Sequence, residues 1–436
     1  MKPRSLVILP MFVLLSSLCN ADSPEKAKRP RDINVQANSA GTILNYSSQA
    51  EIINQKIASY HEAQYKSDPK VLRVIYFHAK NQSPCKNYQQ RWDGIIKDIK
   101  KFFDAEMARN GYPSQKFNIE IDQENNAILH LVQGKLEEAD YGYRSGSQIR
   151  KEIKEALRKK SIDIENETIL VICGLSKTKG DKVDIDSPFY GIGANQTRGT
   201  CFAMDSDWLE IPGLLNKAKR VQVREDHHPG DHYKQMSMSQ FNVTYIGGTI
   251  HELGHGLSLP HNKATKTSQQ KYGTALMGSG NYTYRKERIT KGQKGSFLTH
   301  AHAVRLATHP LFSGSRRDVN VRGNAELHEM VFTNQDGKIE VRGTVVSDLP
   351  TAAVVAYHDP DGGGDYNARN WTTVLDEKGH FNLEIDGPVK GKHQIRIVIC
   401  HLNGATTQYR IDYTCDESGV PMLDQLPSSY KPRSRR

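Results

Sequence analysis

The chain is poor in cysteine, in tryptophan and in long apolar runs. It has six cysteines and three tryptophans in 436 residues. No CxxC pair occurs, which excludes a thiolate metal cluster and a thioredoxin-type redox pair. Beyond residue 21 no segment approaches the roughly 20 apolar residues that a membrane helix needs, so no membrane span is expected. Aromatic residues do not interleave with a basic stripe, and no nucleic-acid motif is present. The formal charge of +10 therefore reads as a solvated basic surface with affinity for anionic polymers or cell surfaces, not as a nucleic-acid site. Its densest part is the tail, with Lys431, Arg433, Arg435 and Arg436.

The one apolar run is at the start. Lys2 and Arg4 precede Leu6 to Leu18, and Cys19-Asn20-Ala21 offers small residues where a signal peptidase cuts. Residues 1–21 read as a cleaved signal peptide, which implies a secreted, extracellular protein, or a periplasmic one in a bacterium. Removing them takes the charge from +10 to +8 with Lys2 and Arg4, and leaves Cys85, Cys173, Cys201, Cys400 and Cys415. An odd count in an exported chain means at least one unpaired thiol or an intermolecular bridge. Cys173 ends the run Ile169-Leu-Val-Ile-Cys173 and fits a buried core position.

The remaining length suits two or more domains. Residues 22–68 are polar, with a weak helical pattern from Ile52 to Tyr60, and read as an N-terminal extension or propeptide. Residues 69–315 alternate strands and helices. Val71–Phe77 is a buried strand, 88–109 an amphipathic helix, Lys116–Ile121 with Ala127–Val132 a hairpin, and Ile149–Leu157 a second helix. Thr168–Cys173 lacks polar alternation and fits the centre of a covered sheet. Residues 175–240 read as loop-rich, apart from a strand at Thr200–Met204. The order implies an α/β (α+β) domain with a mixed sheet. From about 320 to 420 the period changes to two, with turn signals at Asn334–Gly337, Gly362–Gly364 and Asn403-Gly404. That is an all-β sandwich of immunoglobulin-like size, followed by a basic tail, 421–436. A tight turn at Asn403-Gly404 would set Cys400 opposite Thr407 and allow a Cys400–Cys415 bridge only through the loop after the last strand.

The chemistry concentrates in His251-Glu252-Leu253-Gly254-His255-Gly256-Leu257-Ser258-Leu259-Pro260-His261. Ile246, Ile250, Leu253 and Leu257 recur at helical steps and mark a buried face, with Asn242 or Thr244 as the expected cap and Pro260 as the stop. On such a helix His251 and His255 share one face, one turn apart, and can offer two nitrogens to one Zn²⁺. Glu252 is rotated about 100° from His251, so it reaches a water at the open position without being a ligand and can act as general base. The third ligand has to follow the helix. The window from Asn262 to Lys286 holds no acidic residue, which leaves His261. With 17 histidines in the chain, HExxH arises by accident in a few per cent of such sequences, and the added His261 lowers that to roughly one in a thousand.

This pattern resembles the extended HExxHxxxxxH motif of the metzincin metalloendopeptidases. The resemblance extends to a methionine turn at Ala275–Gly280, which makes Met277 the packing floor beneath the metal. It implies a zinc-dependent endopeptidase with protein or peptide substrates. Two departures stand out. Serine occupies position 258, where the family has a glycine that turns the chain through the left-handed region, so about 1 kcal/mol of strain is expected there. Ser279 stands where some members carry a metal- or oxyanion-binding tyrosine; Tyr282 and Tyr284 are nearby at other spacings, and Tyr282 is the candidate oxyanion donor.

Two further segments hold candidate ligands. Asp226–His232, rich in histidine and aspartate, reads as a loop, with a structural zinc or calcium ion as the second reading. Asp359-Pro-Asp361-Gly-Gly-Gly-Asp365 resembles part of a calcium loop but lacks the distal glutamate and joins two strands, so a turn comes first and Ca²⁺ second. His300, His302 and His309 fall in a helical segment, Leu298–Phe312, as packing or surface residues. A different class of function stays open: a secreted binding protein with a vestigial zinc site, whose sandwich holds a polysaccharide or a surface protein. The intact Glu252 speaks against it.

Overall fold

The computed structural model describes residues 44–61, 69–225, 232–314, 316–360 and 365–431. The expected signal peptide, residues 22–43 and 62–68 of the extension, 226–231 of the histidine-rich loop, Asp361 and the final basic residues lie outside the described residues.

In chain order the first half contains α1 (Tyr46–Tyr60), β1 (Arg73–His78), α2 (Tyr88–Arg109), β2 (Leu129–Gln133), α3 (Gly146–Arg158), β3 (Thr168–Gly174), β4 (Lys177–Lys179), β5 (Lys182–Ile185), β6 (Gly191–Gly193) and β7 (Gly199–Met204). A five-stranded sheet has the order β2-β1-β3-β7-β6. Four strands run parallel, and the edge strand β6 is antiparallel to β7. β3 sits at the centre and is buried throughout, as its unbroken apolar run requires. The α2 helix covers one face with Trp92, Ile95, Ile96, Ile99, Phe102 and Phe103. The α3 helix covers the other with Ile149, Ile153 and Leu157.

Two sequence expectations are corrected here. The expected hairpin of residues 116–121 and 127–132 is confined to its tip, an antiparallel bridge between Ile121 and Ala127 with Ile128 N–H bonded to Glu120 O and Asp122 N–H to Asn126 O; beyond the tip, β2 pairs parallel with β1. Period-two alternation is shared by both arrangements and does not fix strand direction. Residues 175–240 are also more ordered than loops. β4, β5, β8 (Arg220–Glu225) and β9 (Lys234–Ser237) make a side sheet in that order. These strands are short and polar, so their pattern carries little hydrophobic signal.

The site-bearing half follows with α4 (Met238–Gly256), α5 (Lys266–Tyr272), β10 (Thr274–Ala275), α6 (Lys286–Ile289), β11 (Ser296–Phe297), α7 (His300–Thr308) and α8 (Pro310–Ser313). His300, His302 and His309 are all buried. They pack; none lies on the surface.

The C-terminal region holds β12 (Ala325–Gln335), β13 (Lys338–Ser347), β14 (Thr351–Pro360), β15 (Arg369–Thr373), β16 (His380–Asp386), β17 (Gly391–His401) and β18 (Thr406–Cys415). Two antiparallel sheets, β12-β13-β16 and β15-β14-β17-β18, enclose a core of Ile339, Val341, Leu383, Ile395, Ile397 and Ile411. In a constant-type immunoglobulin domain the fourth strand joins the first sheet; here β15 pairs with β14 in the second. Cys400 stands opposite Thr406, not Thr407, because the loop is longer than a two-residue turn, with His401 N–H bonded to Ala405 O. Cys415 lies at the far end of β18, opposite Gly391, and all five described cysteines are unpaired. Part of the expected tail is structured too: Leu327 and Tyr430 exchange backbone hydrogen bonds, and Leu423 packs into the sandwich core.

The second sheet is not free-standing. Ala353, Val355, Tyr357, Val398 and Leu402 share one hydrophobic cluster with α2, α4 and α7. The α1 helix packs into the same cluster through Ala50, Ile53, Ile57 and Tyr60. The residues read as an N-terminal extension thus include part of the core.

Candidate active site

The α4 helix begins earlier than expected. Ser237 caps it in a capping box with Gln240, which satisfies the first unpaired N–H groups of the helix. Asn242, an expected cap, is fully buried inside the first turns. There it accepts from Glu210 N–H at 2.7 Å and donates to Trp208 O at 3.2 Å, tying the preceding loop to the helix. Ile246, Ile250, Leu253 and Leu257 are all buried, as their spacing requires.

At the end of this helix three imidazoles converge. His251 donates from Nδ1 to Leu276 O at 2.8 Å, and His255 from Nδ1 to Leu259 O at 2.9 Å. Each bond leaves an Nε2 lone pair facing inward. The Nε2 of His261 lies 3.3 Å from that of His251 and 3.0 Å from that of His255. Two nitrogens bound at 2.0–2.1 Å to one tetrahedral zinc stand about 3.3 Å apart, so the three rings fit a single ion. Burial, with His255 beside it, takes His251 down to about 4; burial also lowers His255. Both are neutral and ready to coordinate at physiological pH. Among the described residues this is the one group of three side chains arranged to hold a metal.

Glu252, one residue after His251, reaches β6. Its carboxylate accepts the Gly191 N–H at 2.8 Å, and burial raises its pKa to about 7. Gly191 has to be glycine: a Cβ there would lie 1.8 Å from Glu252 O. Met277 forms the floor under the helix, fully buried, and a Cβ on Gly254 would meet its sulfur at 2.3 Å.

Ser258 adopts φ 64°, the left-handed conformation that its place in the motif demands. Two residues that the sequence reading missed hold this turn. Arg305, buried on α7, donates from Nη2 to Ser258 O at 2.6 Å. Tyr366, from the start of the segment leading into β15, stacks on the His261 ring with centroids 3.7 Å apart and planes 25° apart. Neither belongs to a local motif, so no spacing rule could have found them. Asn262 then fastens the loop, bonding to Met277 O through its N–H and to Thr299 Oγ1 through its side chain.

The two tyrosines beside the methionine turn separate clearly. Tyr284 is fully buried and donates to Asp98 at 2.8 Å, so it is a packing residue remote from solvent. Tyr282 is exposed, in a 3-10 turn packed on α4. Asp359 and Asp365, from the calcium-like loop, both face the Arg396 guanidinium, at 3.7 and 2.8 Å.

Solved structures of one protein share this architecture. Crystal structures of wild-type OgpA from Akkermansia muciniphila align with TM-scores of 0.66 and 0.65, at 24% and 25% identity, over 85% of this chain and 98% and 96% of theirs. A catalytically inactive OgpA in complex with an O-glycopeptide substrate, glycodrosocin, aligns with a TM-score of 0.66 at 24% identity, over 85% of this chain and 97% of that one. No family model matches the sequence, and a search of curated proteins finds no match. At this identity the likeness establishes the fold.

Proposed function

We propose that this chain is an exported zinc-dependent endopeptidase of metzincin type. The observation that carries the reading is the convergence of three imidazole Nε2 atoms with a carboxylate one residue from the first of them. His251, His255 and His261 would hold the zinc. Zinc there would polarise the scissile carbonyl and acidify a water at the open position. Glu252, oriented by the Gly191 N–H, would hold a proton from the attacking water and pass it to the leaving amine. The edge strand β6 lies against the helix that carries Glu252 and offers an extended peptide an open backbone edge.

The substrate class follows by analogy. OgpA, which shares the fold, was crystallised with an O-glycopeptide, so O-glycosylated peptides are the first substrates to try beside unmodified ones. The experiment is a digest of matched glycosylated and bare peptide libraries, with and without a chelator. Chelator-sensitive cleavage, abolished in Glu252→Gln while the metal stays bound, is the expected result. A Glu252→Gln protein with bound metal and full activity would sink the mechanism. Metal binding without cleavage of any peptide would favour a binding protein instead.

A further inference from the structure

The C-terminal sheets reach the metal site through a closed chain of contacts. Arg305 holds Ser258 O and also reaches the Tyr357 hydroxyl on β14 at 3.4 Å. The Arg396 guanidinium on β17 lies 5.4 Å over the Tyr357 ring and pairs with Asp365 at 2.8 Å. Asp365 O accepts from Ala368 N–H, and Ala368 O accepts from Lys263 N–H at 2.6 Å, two residues past the third histidine. Tyr366 sits inside this loop of contacts, over His261.

Most side chains in the chain of contacts are buried. Tyr366 is not: 48% of it is exposed, at the mouth of the site. The Glu252 carboxylate and the Tyr282 phenol both lie close enough to Tyr366 to act on it electrostatically, so the ring sits between the metal-holding histidines and the carboxylate beside them.

Building on the peptidase reading, we infer that Tyr366 is a catalytic residue supplied by the C-terminal β region, whose phenol donates a hydrogen bond to the scissile carbonyl oxygen as it gains negative charge. The ring keeps His261 in orientation while the hydroxyl serves the substrate. A donor aimed at developing charge acts on turnover more than on ground-state binding. This also assigns the sandwich a part in the chemistry, beyond that of a surface-binding appendage.

The test uses the full mature chain, zinc-loaded, with Tyr366→Phe and Tyr366→Ala. Tyr366→Phe keeps the stack and loses the hydroxyl. Its kcat should fall about 10- to 100-fold with KM within about threefold. A phosphinic peptide, whose tetrahedral anion imitates the addition intermediate, should bind more weakly by a similar factor, with thermal stability and metal retention against a competing chelator unchanged. Tyr366→Ala should show the same loss plus weaker metal retention. A Tyr366→Phe enzyme with wild-type kcat and phosphinate affinity overturns the assignment and leaves the peptidase reading standing. A wild-type chain that cleaves nothing overturns both.

Discussion

Arg305 donates from Nη2 to Ser258 O at 2.6 Å, and so a buried guanidinium holds the one left-handed residue between His251 and His261. Ser258 adopts its left-handed backbone without glycine's freedom, at a cost of about 1 kcal/mol. The cation bound to its carbonyl fixes that conformation and aims His261. Arg305→Met should therefore lower zinc affinity by about tenfold, the scale on which supporting contacts tune metal sites. Ser258→Gly in the same background should restore part of the loss. Competition with a chromophoric chelator measures both, and unchanged affinity in Arg305→Met would show that the turn holds itself.

Local chemistry was legible in the sequence because it obeys local geometry. The i,i+4 histidines, the acid-free window that singled out His261, and the awkward Ser258 all follow from spacing along one helix and its exit. The parallel core strand β3 and the helix α2 were legible for the same reason. Tyr366 lies more than a hundred residues beyond His261, and Arg305 is 47 from Ser258. Both reach the site through tertiary packing, on which periodicity is silent. The side sheet β4-β5-β8-β9 escaped because its outward residues are charged and its strands too short to show a pattern.

Gln49 on α1 offers the next test. It is buried, donates to Thr372 O at 3.0 Å, and accepts from Thr372 Oγ1 at 2.7 Å. Gln49→Ala would leave a buried hydroxyl and carbonyl unpaired, costing about 2–3 kcal/mol in chemical denaturation. Truncation beyond Tyr60 should be worse, since it also removes Ile53 and Ile57 from the core. A truncated chain as stable as the full one would mean that α1 is a removable propeptide.

Acid should destabilise the fold through α7. Burial takes His300 and His309 down to about 3, while the unfolded chain titrates near 6.5. The unfolded state thus binds protons first. Stability from these residues is complete above about 6.5 and declines as pH falls toward 3, by about 1.4 kcal/mol per pH unit for each histidine. Together they should cost about 3 kcal/mol between pH 6.5 and 5. His300→Phe would keep the stack on Tyr46, and His309→Asn would keep an acceptor for Leu311 N–H. Denaturation of the double variant at several pH values should show a shallower slope than wild type. Parallel slopes would exclude these histidines as the source.

The contact between Gly191 and Glu252 separates the proposed role of Glu252 from that of the three histidines. A methyl group on residue 191 would sit 1.8 Å from Glu252 O and 2.8 Å from His255 Cβ, so β6 must move away from α4 and take its N–H from the Glu252 carboxylate. His251 and His255 donate from Nδ1 to Leu276 O and Leu259 O, neither of which is on β6. Gly191→Ala should therefore lower kcat by roughly 100-fold, the scale of a misplaced catalytic group, while metal affinity stays within a few-fold. Ile192→Ala, one residue along and exposed, removes a side chain without touching that hydrogen bond and should leave kcat within about twofold. Stopped-flow proteolysis and chelator competition on both variants decide the matter: if Gly191→Ala loses metal and turnover together, β6 supports the whole site and not the base alone.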